Sequence, residues 1–289
     1  MRAVVFAYHD VGVNCLKALL NAGIQVDLVV THEDDPNENV WFGSVAKLCQ
    51  AKGISFITPS ASELNDLTPK LATLSPDYIF SFYYRHMIPA QILACAKIAA
   101  LNMHGSLLPK FRGRAPVNWA ILHGETETGA TLHVMEVKPD AGDIVGQVAV
   151  GIGPDETATD VFGKVSGAAV EVMNQVLPKL IQGKVPRKPN DLQKGSYFGG
   201  RKPADGQIHW SQTAQQVHDL VRAVAPPYPG AFTDHDGKTM ILAKTSLKGP
   251  FPANLNLGAT GIQVVDNRVF GICGDRQAVE ILEWFPASK

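Results

Sequence analysis

No apolar run among the 289 residues approaches the length a membrane span needs, about 20 residues. The four cysteines, Cys15, Cys49, Cys95 and Cys273, are scattered and show no CxxC spacing. That leaves neither a zinc pattern nor a disulfide framework, and the first three, in apolar helical contexts, read as reduced buried thiols. Charge of one sign is also lacking. Lys and Arg number 26 against 27 Asp and Glu, a formal net charge of −1, so no broad basic field is available to neutralise a nucleic-acid backbone. A local basic patch stays open. The opening Met1-Arg2-Ala3-Val4-Val5-Phe6-Ala7 enters an apolar strand without the n-region, h-region and cleavage site of a signal peptide, which predicts a cytoplasmic protein. Repeats and low-complexity segments are absent.

What is present reads as two domains. Apolar runs at 3–8, 26–30, 54–57 and 77–82 alternate with helical spacing at 13–20, 42–52 and 62–74, and such βα repeats predict a mostly parallel, doubly wound sheet with helices on both faces. His9-Asp10-Val11-Gly12 reads as a turn. It holds one glycine where a dinucleotide cradle needs GxGxxG. The acidic stretch 32–38 reads as a solvated loop. Strands at 128–135 and 144–150 are joined too closely for a helical crossover and predict an antiparallel hairpin with the tip Lys138-Pro139-Asp140-Ala141-Gly142-Asp143. A long helix, 154–182, closes a first domain over 1–183. Residues 184–206, rich in Lys, Pro, Gly and Asn, predict a linker, and a helix from 213 to 224 with five short strands predicts a small OB-like β-barrel over 207–289.

One stretch carries more chemistry than its neighbours. The apolar run 98–101 gives way to Asn102-Met103-His104-Gly105-Ser106-Leu107-Leu108-Pro109. On a strand, Asn102 and His104 point to the same side, at the carboxyl end where open α/β sheets keep their ligands. A carboxamide beside an imidazole could serve as oxyanion donor and general acid or base. A turn-capping Asn102 and a satisfied, buried His104 explain the pair equally simply, and the pair alone favours that second reading. Lys110, Arg112 and Arg114 precede a helix at 115–122, which suits either phosphates or a solvated loop. Tyr83-Tyr84-Arg85-His86-Met87-Ile88-Pro89 could wall a ligand slot or simply pack.

Taken together, Asn102-x-His104-x-Ser106-Leu107-Leu108-Pro109, Arg112-Gly113 and Asp140-Ala141-Gly142-Asp143 resemble the signature of the folate-dependent formyltransferases. Val5 to Asp10, Phe80 to His86, Gly124 to Gly129 and Phe198-Gly199-Gly200-Arg201 look like those members that act on UDP-4-amino-4-deoxy-L-arabinose. The similarity covers most of residues 1–230 and thins afterwards. The resemblance implies a catalytic triad of Asn102, His104 and Asp140. It implies N10-formyltetrahydrofolate as co-substrate, without a metal, near Tyr84, His86, Met87, Ile88, Pro139, Asp140 and Asp143. A sugar nucleotide would lie near Tyr84, Arg85, Arg112, Arg114 and Arg201. The partners implied are small molecules, with a homo-oligomer left open. A dTDP-linked amino sugar and methionyl-tRNA are the alternative acceptors, but tRNA calls for a basic surface, and residues 207–289 carry no excess of Lys and Arg over Asp and Glu. In many bacteria the arabinose enzyme is fused to a dehydrogenase. No second Rossmann unit follows in this sequence, which leaves that activity on another chain or the substrate different.

Overall fold

The computed structural model describes residues 1–35 and 39–287. Pro36, Asn37 and Glu38 of the acidic stretch, and the last two residues, lie outside it. Strand β1 (Arg2–Ala7) runs directly into helix α1 (His9–Asn21), which returns to β2 (Gln25–Val30). Helix α2 (Val45–Lys52), the short β3 (Phe56–Ile57), a 3₁₀ turn (Ala61–Leu67) and α3 (Thr68–Leu74) lead to β4 (Tyr78–Phe82). One turn of helix, α4 (Ala90–Leu93), precedes β5 (Ala99–His104); β6 (Arg112–Gly113) precedes α5 (Pro116–Leu122). Then come β7 (Glu127–Val134), β8 (Ile144–Gly151), the long α6 (Ala158–Leu180) and the short β9 (Tyr197–Phe198). Helix α7 (Ala214–Val224) is followed by β10 (Ala231–His235), β11 (Lys238–Ser246), β12 (Gly261–Val265), β13 (Arg268–Ile272) and β14 (Ala278–Pro286).

The chain forms two compact units. The first comprises residues 1–113, 128–150 and 163–198; the second comprises 114–127, 151–162 and 199–289. In the first, seven strands are ordered β3-β2-β1-β4-β5-β7-β8. Strands β1 to β5 pair in parallel, and β7 joins β5 antiparallel. Residues Ala3 to Ala7 of β1 are wholly buried, as a strand covered on both faces requires. Val4 and Phe6 pack with Leu28, Ile79, Leu64, Leu71 and Ile92 on one face, while α1 lies against β1 and β4. The strand order reverses between β1 and β4, so the carboxyl ends there flank the usual ligand crevice.

Three local expectations are corrected. Residues 9–12 are the first turn of α1 and not a separate turn. Gly12 allows this, because a Cβ on it would meet Ala7 and Val45 at 3.2 Å. Helix α2 begins three residues late, where Ser44 accepts the Lys47 N–H as its cap. The helix expected over 62–74 is broken into a 3₁₀ turn and α3, with Pro69 in the first turn of the second piece; proline has no N–H to continue a helix through that point. Cys15, Cys49 and Cys273 are buried, whereas Cys95, expected to be buried, is partly exposed.

In the second unit, the five expected strands form one antiparallel sheet, β10-β11-β14-β13-β12, the barrel-like element. Thr213 and Gln216 make a reciprocal capping box for α7, whose Val217, Leu220 and Val221 are buried as the periodicity predicts. The same helix buries Asp219 and Arg222 as an ion pair of 2.8 Å, and Arg222 also donates to the carbonyl of Glu156. Among the described residues, no helix is long and apolar enough to cross a membrane.

Candidate active site

The site is built from the carboxyl end of β5, its antiparallel neighbour β7 and the tip of the β7–β8 hairpin, all in the first unit. Register pairs Asn102 with His133 and His104 with Thr131. The Asn102 amide nitrogen lies 3.1 Å from His133 Nε2, and His133 Nδ1 lies 2.9 Å from the Val134 carbonyl. His133 Nδ1 thus anchors the ring on the Val134 carbonyl, and Nε2 faces the Asn102 carboxamide. His104 Nε2 lies 2.8 Å from the Phe111 carbonyl, and its other nitrogen lies 3.6 Å from Asp140 Oδ1. The same Asp140 oxygen lies 3.3 Å from His133 Nε2. Its second oxygen accepts the Gly113 N–H at 2.8 Å. His104, His133 and the Gly113 N–H therefore surround the Asp140 carboxylate, and Asn102 is tied to it through His133.

Backbone geometry helps to aim these groups. Phe111 and Asp140 have φ of 55° and 50°, in the left-handed region where non-glycine residues are uncommon and cost about 1–3 kcal/mol each. The turn at Phe111 presents its carbonyl to His104, and the turn at Asp140 presents its carboxylate to both imidazoles. Such conformations persist only where the surroundings over-determine them. Below the pair, Thr131 donates to the Ser106 carbonyl at 2.6 Å and accepts from Gln147 Nε2 at 2.8 Å, while Ser106 donates to the Lys110 carbonyl.

The electrostatics separate the two central groups. Burial pushes the His104 imidazole below its ordinary value, against the upward pull of Asp140 and the Phe111 carbonyl. Burial opposes ionisation of Asp140 as well. The imidazoles of His104 and His133 and the Gly113 N–H overcome that and hold its carboxyl well below the usual carboxylate range. At neutral pH the resting pair is thus a neutral imidazole facing a carboxylate. That arrangement can take a proton on the imidazole and stabilise it by charge.

A second cluster stands at the carboxyl ends of β1, β2 and β4. Tyr84 stacks on His32 with centroids 4.2 Å apart, His86 meets His32 edge-on at 4.6 Å, and Arg85 lies 4.7 Å above the Tyr8 ring. The Arg85 N–H donates to His32 Nε2 at 3.0 Å. Tyr84 and His86, expected from sequence, are therefore brought together, whereas His32 and Tyr8 were not expected. Met87 is 65% exposed beside them. Burial, then His86 and Arg85, lower the His32 pKa to about 4. The neutral imidazole is thus favoured by folding above the unfolded value of about 6.5. That stability falls as pH drops from about 6.5 towards 4, and below 4 it falls no further. In His32→Gln, which keeps a side-chain acceptor for Arg85, urea titrations across this window are expected to show a shallower loss of stability. An unchanged slope would remove His32 as the cause.

The expected phosphate ligands divide between the units. Arg112, in the first, is 8% exposed. Its backbone N–H donates to the Ser196 carbonyl, and its Nε is buried without a partner among the described residues. Arg114 and Arg201 belong to the second. Arg201 lies 5.0 Å over the Trp119 ring and donates to the Asp205 carbonyl, and Arg114 Cδ would stand 3.5 Å from a Cβ on Gly200. Asp143 lies 3.7 Å from Arg187. Pro139 and Asp140 are partly exposed at the tip.

The formyl transferase family matches residues 1–177, and the C-terminal domain of formyl transferases matches residues 201–289. The chain belongs to the formyl transferase family. Among solved structures, this formyl transferase resembles a 4-N formyltransferase from Francisella tularensis, with 25% identity, a TM-score of 0.67, and coverage of 84% of this chain and 96% of that one. It resembles in fold the N-formyltransferase from Helicobacter canadensis determined with folinic acid and dTDP-3-aminofucose, at 19% identity and a TM-score of 0.75, covering 97% and 98% of the two chains. The methionyl-tRNA formyltransferase of Clostridium thermocellum is similar at 18% identity and a TM-score of 0.59, covering 86% and 94%.

One member of the site, His133, was not singled out from the sequence of this formyl transferase. The signal available was its place on β7, a histidine within the alternating strand 128–135. Only the register with β5 shows that it faces Asn102.

Proposed function

We propose that this formyl transferase moves the formyl group of N10-formyltetrahydrofolate to the amine of a UDP-linked 4-amino sugar, UDP-4-amino-4-deoxy-L-arabinose first among them, the sugar used in lipid A modification. The observation that carries the chemistry is the contact of His104 with Asp140, with Asn102 linked to the same carboxylate through His133, in a chain of this family. The sugar is supported by the Tyr83-Tyr84-Arg85-His86 and Phe198-Gly199-Gly200-Arg201 segments and by the similarity to a 4-N formyltransferase.

The donor set suits the folate. A pteridine edge is rich in N–H groups, and the hairpin tip offers carbonyl oxygens and the partly exposed Asp143 carboxylate. Tyr84, His86, Met87, Ile88, Pro139, Asp140 and Asp143 would hold it. In the first unit, Tyr84 with Arg85 and Arg112 would hold the sugar nucleotide, the guanidinium groups against its phosphates.

The reaction requires an amine to attack the formyl carbon, a tetrahedral oxyanion to form, and the bond to N10 to break. Asn102 has one amide N–H engaged by His133 and a second for the oxyanion. The proton leaving the amine passes to the His104–Asp140 pair. There it converts a desolvated neutral imidazole into a cation beside a carboxylate, and the same pair returns a proton to the departing N10.

The test is purified protein incubated with N10-formyltetrahydrofolate and a panel of UDP- and dTDP-amino sugars, with initiator methionyl-tRNA alongside. Consumption of the UDP-linked 4-amino sugar is expected. Formylation of a dTDP-sugar or of the tRNA alone would overturn the acceptor, and turnover of none would sink the reading.

A further inference from the structure

Residues 187–198 lie mostly outside regular secondary structure, yet they are laced to both halves of the site. At one end, Ile144 and Lys188 exchange backbone hydrogen bonds of 2.8 and 2.9 Å. Asn190 Nδ2 donates to the carbonyls of Asp140 at 3.1 Å and Gly142 at 3.3 Å. Both carbonyls belong to the hairpin tip in which Asp140 sits at φ 50°. At the other end, Ser196 Oγ accepts the Phe111 N–H at 2.9 Å, and the Ser196 carbonyl accepts the Arg112 N–H at 3.0 Å. Tyr197 and Phe198 pair in parallel with Arg112 and Gly113, and the rings of Phe111 and Phe198 stack with centroids 5.6 Å apart. Gly195 lies so close to Pro109 that a Cβ would stand 2.2 Å from its carbonyl oxygen.

The two ends act on different members of the pair. Phe111 supplies the carbonyl that His104 engages, and it does so from a left-handed conformation. Asp140 supplies the carboxylate. Phe111 and Asp140 stand in two separate loops, and neither Phe111 nor the tip lies in a ladder of the main sheet.

We infer that residues 187–198 form a positioning strap, in which Asn190 fixes the hairpin tip that carries Asp140 and Ser196 fixes the Phe111 turn that orients His104. The strap touches neither reacting atom. It sets the separation of His104 and Asp140 from outside, so the two ends of one segment define the geometry of the pair. The inference rests on formyl transfer at Asn102, His104 and Asp140, and it adds two positioning residues to that site.

The test compares Asn190→Ala and Ser196→Ala with the intact chain by two readouts. The first is the titration of the His104 imidazole followed by NMR, which needs no acceptor. The titratable groups facing that imidazole are Asp140 and His133. If Asn190 holds Asp140 in place, its loss withdraws the carboxylate, and His104 titrates at a lower pH than in the wild type. Loss of Ser196 frees the Phe111 carbonyl and shifts the titration in the same direction. The second readout is kcat for formyl transfer, expected to fall about 10–100-fold, as small misplacement of a catalytic group does. Ser196→Thr, which keeps the hydroxyl, is expected to restore both.

Should Asn190→Ala fail to fold, the Ser196 pair of variants carries the test through the other end. Wild-type His104 titration in the alanine variants, with any loss of rate matched by loss of folded protein, would reduce the segment to a structural tie and overturn the inference. An intact chain that formylates none of the acceptors would sink the proposed acceptor while leaving the titration readable, so the two failures are distinct.

Discussion

Replacing Asp140 by asparagine is expected to lower the single-turnover rate of formyl transfer by about 10²–10⁴-fold while leaving the chain folded. The side chain has two jobs, and the substitution separates them. Its Oδ2 accepts the Gly113 N–H at 2.8 Å, a bond the asparagine oxygen can keep. Its negative charge faces two imidazoles, with Oδ1 3.6 Å from His104 and 3.3 Å from His133, and that charge is lost. Burial is the largest influence driving His104 towards the neutral form, and Asp140 is the first that opposes it. Without the carboxylate the imidazole becomes a weaker base in a site too buried for water to take its place. His104→Ala removes the proton carrier itself and is expected to fall in the same range. The two losses should not add, because the residues act as one unit. A wild-type rate in Asp140→Asn would show that the carboxylate does not take part in proton movement.

The charge also leaves a thermodynamic signature. A carboxyl held below its ordinary value by the folded surroundings contributes stability that is present above its unfolded value of about 3.8 and is lost as pH falls below it. The asparagine variant lacks this contribution and should lose less stability on acidification below about pH 4.

The parts of the site that were legible in the sequence are those whose chemistry and local geometry coincide. Asn102 and His104 alternate along one strand, and that strand ends where parallel sheets place their ligands, so their joint direction follows from the pleat. Asp140 sits in a tip whose residue types make a turn. His133 was not legible for the opposite reason: a histidine in an alternating strand could face either side, and only the pairing of Asn102 with His133 decides it. Residues 187–198 show the same limit. Their Lys, Pro, Gly and Asn content reads as a connector, yet the contacts that tie them to the site, such as Asn190 to Asp140 and Ser196 to Phe111, span 50 and 85 residues. Short-range pattern cannot carry such information. The start of α1 was missed on finer grounds, since Gly12 acts there by permitting close packing against Ala7 and not by making a turn.

Gly113→Ala tests both ends of the strap at one atom. Gly113 has φ 97°, and a Cβ there would stand 2.1 Å from the carbonyl oxygen of Phe198. That oxygen is backbone in the paired β9, so no side-chain rotation relieves the contact. Overpacking of this kind costs about 1–3 kcal/mol, and alanine in a left-handed conformation adds about 1–2 kcal/mol. The chain can relax in only two ways. Either β9 moves away, loosening the segment that holds Phe111 through Ser196, or Gly113 moves, carrying its N–H away from Asp140 Oδ2. Both routes disturb the separation of His104 and Asp140, so kcat is expected to fall about 10²-fold in addition to the loss of stability. Gly199→Ala, one residue beyond β9, is the steric control, because a Cβ there meets nothing within 4 Å, and its Tm should stay near the wild-type value. Comparison of the two variants by thermal melting and by kcat per folded molecule separates the effects. A Gly113→Ala protein that melts early but turns over at the wild-type rate would show that Asp140 keeps its place without the Gly113 N–H, and that the tip is held from the Asn190 side alone.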